Sequence, residues 1–196
     1  MKIVFKFKIL AVALLLASPL AHADGVYFST RDLLSDFFAH SQSVTYKRIQ
    51  LSSLERARLT ERLGYLPAKS TYTFFVATTS SHVDGYALID EEKGEHLPIT
   101  FAVRLSPAGV VERQEIVAYR EARGDEVRDE RFRRQFVGKS ARDQIVAGED
   151  IVAVSGATIS SRAMAVGTKR AVVLFEELLP RLQPVTAQTS ASVNRR

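Results

Sequence analysis

Three periodicities follow one another along this chain, and each predicts a different kind of element. In RDLLSDFFAH the apolar residues Leu33, Leu34, Phe37 and Phe38 fall on one helical stripe behind Ser29 and Thr30, whose hydroxyls suit a helix start. A second helix is predicted from Ser52 to Leu63, where Leu54, Ala57 or Arg58, Leu59 and Leu63 recur at helical spacing and Gly64 stands where a helix commonly stops. The pattern then becomes strand-like. TYTFFVATT, GYALIDE, PITFAVRLS and VVERQEIVAY are β-branched or aromatic runs divided by the turn-forming clusters SHVD, EKGEHL and SPAG. Hairpin-like spacing predicts an antiparallel sheet of about four strands. The polar stretch REARGDEVRDERFRRQFVGKSARDQI, with isolated Phe132, Phe136, Val137 and Ile145, predicts a loop followed by short helical pieces that lay their aromatics on the sheet. From Ser160 onward, Ala163, Gly167, Ala171, Leu174 and Leu178 share one face flanked by Val166 and Phe175, and Pro180 is expected to end this long helix. Its face begins with small residues and finishes with large ones, so its first turns can approach another backbone closely. The whole reads as an α+β fold.

The two ends read differently. Lys2, Lys6 and Lys8 precede an apolar run from Ile9 to Ala17, and Ala21-His22-Ala23 offers a small-x-small cleavage pattern. The run is far short of the roughly 20 residues that a spanning helix needs. Residues 1–23 are therefore expected to be a signal peptide, with the processed chain soluble and periplasmic if the source is Gram-negative. Beyond Pro184, VTAQTSASVNRR has no periodicity and is expected to form a flexible tail. The expected division is a signal peptide over 1–23, a helical segment over 24–70, the main domain over 71–180 and the tail over 181–196.

Composition alters this picture in two ways. The chain has 27 basic and 22 acidic residues, but the three lysines of the leader leave 24 against 22, a net charge of +2. The remaining charges are interleaved, as in ERARLTERLG and EVRDERFRRQ, the pattern of a solvated face and not of a nucleic-acid groove. No nucleic-acid partner is expected. There is also no cysteine, hence no disulfide, thiolate metal site or iron–sulfur cluster, so redox chemistry would need an organic cofactor.

Three stretches could carry chemistry. VGKS, Val137 to Ser140, ends like a phosphate loop, but Arg133 occupies the position of the loop's first glycine, which leaves a turn in which Lys139 could touch a phosphate. Ser155 lies in VSGAT, which lacks the G-x-S-x-G elbow, and His40, His82 and His96 sit at expected helix ends or turns, so a serine hydrolase is disfavoured. The same stretch also suits an anion. Thr158 falls where the last helix begins, and unpaired N–H groups and the helix dipole favour negative charge there. Gly156 permits a tight backbone, Ser155, Ser160 and Ser161 can donate to phosphate oxygens, and Arg162 can pair with the charge. A simple N-cap motif accounts for these residues equally well.

VSGATISSRA resembles the signature of the FMN-binding domain family, which includes the flavin-carrying subunits of the Rnf complexes and of the sodium-translocating NADH:quinone oxidoreductase. YREARGDE, Tyr119 to Glu126, is similar to that family's E-T-P-G loop, with Glu121 and Gly124 at the matching places, and FVGKS is also similar to members. The resemblance spans Tyr72 to Leu179. It implies FMN joined to Thr158 by a phosphodiester bond, with Ser155, Gly156, Ala157, Ser160, Ser161, Arg162, Glu121 and Lys139 around it and no metal site. It further implies an electron carrier without a substrate-transforming site, modified after export by a flavin transferase that uses FAD and a divalent metal. Its redox partner would be a membrane reductase or a haem protein. Two departures stand out. Many members have Asp six residues before the modified Thr, where this chain has Val152, with Glu149 and Asp150 the nearest acids; and Ala122 and Arg123 replace the Thr and Pro of the loop. The alternative is an unmodified periplasmic binding or interaction module on the same α+β domain.

Overall fold

The computed structural model describes residues 25–183. Both the expected signal peptide and most of the expected tail lie outside these residues. Among the described residues the architecture is one antiparallel five-stranded sheet with four α-helices: α1 (Thr30–Phe37), β1 (Ser43–Gln50), α2 (Ser53–Leu63), β2 (Thr71–Thr79), β3 (His82–Lys93), β4 (Pro98–Leu105), β5 (Val111–Ala118), α3 (Glu130–Arg133) and α4 (Thr158–Leu182). No described helix is long and apolar enough to cross a membrane. The strands lie in the order β1-β2-β3-β4-β5, every neighbour antiparallel, as a simple meander of hairpins gives.

Side chains alternate across the sheet and so build two unequal cores. Tyr72, Phe74, Val76, Leu88, Phe101, Val103 and Leu105 pack against α4 in the larger one. Between them, Ala77, Ala87 and Ala102 point to the other face, where their small size admits Leu33 and Phe37 of α1 and Phe38 just after it. The sequence predicts only helices over residues 24–70, and β1 is the addition. Its residues pair in register with β2, Tyr46 opposite Phe75 and Ile49 opposite Tyr72. Of its eight side chains only Ile49 is buried, so the strand carries almost no apolar pattern. The segment also begins in the sheet, since Val26 bridges Ala118 on β5.

The small-residue stripe of α4 has the expected consequence. A Cβ on Gly167 would lie 2.5 Å from the Phe101 ring, so the absence of a side chain sets the distance between helix and sheet. Gly167→Ala is therefore expected to destabilise the fold by about 1–3 kcal/mol, the usual effect of overpacking, measurable as a lower urea midpoint at unchanged slope. Pro180 does not end the helix. It has no N–H for the carbonyl one turn back, yet the helix continues to Leu182, which is fully buried, and the Gln183 N–H reaches the Leu179 carbonyl at 3.2 Å. Arg181 anchors this last turn by pairing with Glu55 of α2 at 2.9 Å.

The helical pieces after β5 also behave as expected. Phe132 and Phe136 are buried and meet edge to face at 5.4 Å, while Val137 stays exposed. Arg133 fixes them to β5 through the Gln114 carbonyl at 2.9 Å and the Glu115 carboxylate.

Candidate functional site

The site is organised by a tight turn. Val154 to Ala157 closes with the Ala157 N–H on the Val154 carbonyl at 3.0 Å, and Gly156 takes φ of 80°, a conformation that favours glycine. Ala157 is the N-cap of α4, and among the described residues no side chain caps it. The first intrahelical bond of this end runs from Ser161 N–H to the Ala157 carbonyl at 2.8 Å. A simple N-cap motif, the other reading of this stretch, is thus not what the residues form. An uncapped start on a 25-residue helix leaves its first N–H groups available to an anion.

Thr158 is the first helical residue and is exposed. Arg162, four positions on, lies on the same face and is also exposed, with no ion pair among the described residues. Ser155 and Gly156 are exposed beside them, and Ala157 is buried. The turn and helix start therefore offer two exposed hydroxyls, those of Ser155 and Thr158, with one guanidinium and backbone donors unclaimed among the described residues.

The other expected phosphate donors are engaged elsewhere. Ser160 is buried on the stripe that includes Ala163 and Gly167, and its Oγ lies 2.8 Å from the Tyr119 hydroxyl. Because the Tyr119 O–H donates to the Arg123 carbonyl, its oxygen accepts the Ser160 proton. Burial raises the Tyr119 pKa and the Ser160 hydrogen bond offsets only part of this, so the phenol keeps its proton. Ser161, fully buried, accepts the Val154 N–H at 3.0 Å and ties the turn to the helix. These two serines build the turn from within.

Glu121 and Lys139 also find protein partners. The Glu121 carboxylate accepts the N–H groups of His96 at 2.6 Å and Leu97 at 2.9 Å, clasping the β3–β4 turn. Desolvation alone would raise its pKa, but these donors hold it below the usual range. Lys139 pairs with Asp150 at 2.7 Å. Asp150 also accepts the N–H groups of Ile145 and Val146, at 3.1 and 2.7 Å. The clamp has work to do, because Ile145 holds φ of 53°, a region that β-branched residues avoid. Lys139 is thus part of a loop brace, and Asp150, one of the nearest acids to the signature, points into that brace.

This brace gives a pH prediction. Desolvation would raise the Asp150 pKa, yet Lys139 and the two N–H donors lower it to about 2 from 3.8. A depressed folded value means that the stabilisation is present above about pH 4 and is lost as pH falls towards 2. Asp150→Asn is expected to lower the melting temperature at pH 6, and the gap from wild type should close by pH 2. A constant gap would mean that packing, not charge, holds the loop.

The two stretches that resemble the family loop and signature meet in space. Gly124 has φ of 89°, and a Cβ there would lie 2.6 Å from both Ser160 Oγ and the Tyr119 hydroxyl. Only glycine lets the loop after β5 rest on the start of α4. Tyr119 was not foreseen as a site residue, and the signal available was its place five residues before that glycine.

Fold and site together define an α+β domain that presents an exposed threonine hydroxyl at an anion-favouring helix start. Residues 94–173 match the family model of the FMN-binding domain. The match takes in both the Tyr119–Glu126 loop and the Val154–Ala163 signature. The crystal structure of NqrC from Shewanella oneidensis shares the fold at a TM-score of 0.52 and 18% identity, over 76% of this chain and 88% of that one. No curated protein matches the sequence. The His residues give the hydrolase reading nothing: His40, His82 and His96 are all exposed, in the turn after α1, at the first position of β3 and in the turn after β3.

Proposed function

We propose that this chain is an exported electron carrier that holds FMN covalently on Thr158. The observation that supports it most strongly is the exposed Thr158 hydroxyl at an uncapped helix start, inside the stretch that matches the FMN-binding domain. FMN, when bound, supplies one- and two-electron redox chemistry that no side chain of this cysteine-free chain provides. The residues suited to hold its phosphate are Thr158, Arg162, Ser155 and the first N–H groups of α4. Ser160, Ser161, Glu121 and Lys139 shape the surrounding backbone.

Attachment needs a flavin transferase with FAD and a divalent metal. The Thr158 oxygen forms a bond to the phosphorus of the FMN half of FAD, the phosphoanhydride bond breaks, AMP leaves and the hydroxyl proton passes to solvent. Nothing is oxidised. A phosphodiester placed at the helix start keeps one negative charge, which the dipole and Arg162 stabilise. Covalent attachment suits a protein beyond the cytoplasm, since a dissociated cofactor would be lost by dilution. The leader pattern over residues 1–23 supports export, with the processed chain beginning at Asp24. N-terminal sequencing of the secreted form tests that boundary, and a chain retained with Met1 would contradict it.

The partner is a membrane reductase or haem protein that docks beside Thr158 by a weak, salt-sensitive encounter, as a net charge of only +2 suits. The loaded protein is expected to be reduced reversibly by dithionite and to oxidise NADH negligibly in steady state. Rapid NADH turnover by the isolated protein would make it an enzyme and overturn the carrier reading.

A further inference from the structure

The segment between the loop brace and the signature is irregular, exposed at Val152 and nevertheless fixed. Val152 is 73% exposed, the most open of the large apolar residues among the described residues. Its backbone is held on both sides by one side chain. The Val152 N–H donates to Gln135 Oε1 at 2.7 Å, and Gln135 Nε2 donates to the Val152 carbonyl at 3.2 Å. One amide thus does what an adjacent β-strand would do. Gln135 is itself rigidly carried, because its neighbour Phe136 is fully buried and Arg133 ties the same turn to β5. The segment has a second anchor on either side of Val152: Ile151 is fully buried, and the Val154 N–H is held by Ser161. A groove of about 520 Å³, lined by Phe132, Gln135 and Val152 to Val154 among others, runs alongside.

Gln135 adds a hold at Val152, whose own side chain buries little. An enzyme that modifies Thr158 must grip the backbone leading to it. We infer that Gln135 is a positioning residue for flavin attachment: it presets residues 152–154 in the shape that the flavin transferase takes up. The inference rests on the proposed attachment at Thr158. Recognition of main chain is consistent with this chain's own residues, because Val152 offers no charge to read and Asp150 is turned into the Lys139 brace.

If the strip is preset, releasing it lowers the fraction of molecules ready to dock and leaves the chemical step alone. The effect therefore falls on KM and not on kcat. The test uses the full processed chain, a purified flavin transferase, FAD and Mg²⁺, with covalent flavin followed by intact mass. Gln135→Leu is expected to raise KM for the protein substrate about tenfold, with kcat within about twofold of wild type. Gln135→Glu keeps the acceptor for the Val152 N–H and loses the donor, and its KM should fall between the two. Val152→Pro removes the N–H from the other side, and combining it with Gln135→Leu should give no greater rise than the larger single change. A wild-type KM for Gln135→Leu, or a lower kcat at unchanged KM, overturns the positioning role while leaving Thr158 attachment standing. A wild-type chain that gains no flavin overturns both. Circular dichroism and melting of Gln135→Glu keep the result readable if the leucine variant folds poorly.

Discussion

Thr158→Val is expected to yield a folded protein with no covalent flavin at all. The side chain is exposed and takes part in no hydrogen bond among the described residues, so its replacement by an isosteric group leaves the turn and helix intact. What disappears is the oxygen that the proposed attachment joins to phosphorus. The melting temperature should stay within a degree or two, as for most surface substitutions. Ser155→Ala removes only an assisting donor, and should slow attachment without abolishing it. Thr158→Ser keeps the nucleophile and should remain modified. If the valine variant still carried an FMN-sized mass increment, the attachment point would lie elsewhere. Ser160 is the next hydroxyl in sequence, but it is buried and committed to Tyr119, so reaching it would require the start of α4 to open.

The largest expected loss of stability comes from Arg170→Leu. Arg170 projects from α4 into the sheet with its side chain only 8% exposed, and it pairs with Asp90, 2% exposed, at 2.9 Å. It also pairs with Glu92 and donates to the Glu91 carbonyl at 2.8 Å. Burial alone would lower the guanidinium pKa, but the Asp90 and Glu92 carboxylates more than reverse this, so the group stays charged at every working pH. Leucine removes the cation and leaves the Asp90 carboxylate buried, with Lys69 at 2.6 Å its remaining charged partner. Breaking a buried pair from one side costs about 3–5 kcal/mol. Urea unfolding should show that loss, and a loss under about 1 kcal/mol would mean that Lys69 and water suffice for Asp90. Covalent flavin on whatever fraction remains folded should be unchanged, because Arg170 lies three turns of α4 from Thr158.

Most of this fold could be read from periodicity, because burial imposes it. The strands from Thr71 to Ala118 each place several large residues on one face, and α4 carries a continuous stripe, so both stood out. β1 did not, since Ile49 alone marks its inner face and Lys47 reaches past the sheet to the carbonyls of Arg181 and Gln183. Pro180 misled for a local reason: a proline at the last turn sacrifices one hydrogen bond, and Leu182 and the Arg181–Glu55 pair outweigh it. At the site, Thr158 and Arg162 were legible from helix spacing. The inward position of Ser160 was also available in principle, because it shares the stripe of Ala163 and Gly167, yet its hydroxyl suggested a ligand. The Lys139–Asp150 brace and the Gln135–Val152 bond join residues 11 and 17 positions apart without any period. Such contacts are set by loop geometry, which leaves no repeating mark on a sequence.

The proposed function depends on one covalent bond, from Thr158 to the FMN phosphate. The measurement that reaches it most directly is peptide mapping by mass spectrometry of the chain produced with a flavin transferase, exported, and cleaved after arginine and lysine. The peptide from Asp143 to Arg162 should carry one FMN, and fragmentation should place it on Thr158. An unmodified peptide from a fully exported, folded chain would contradict the account, as would FMN held elsewhere or released intact on unfolding.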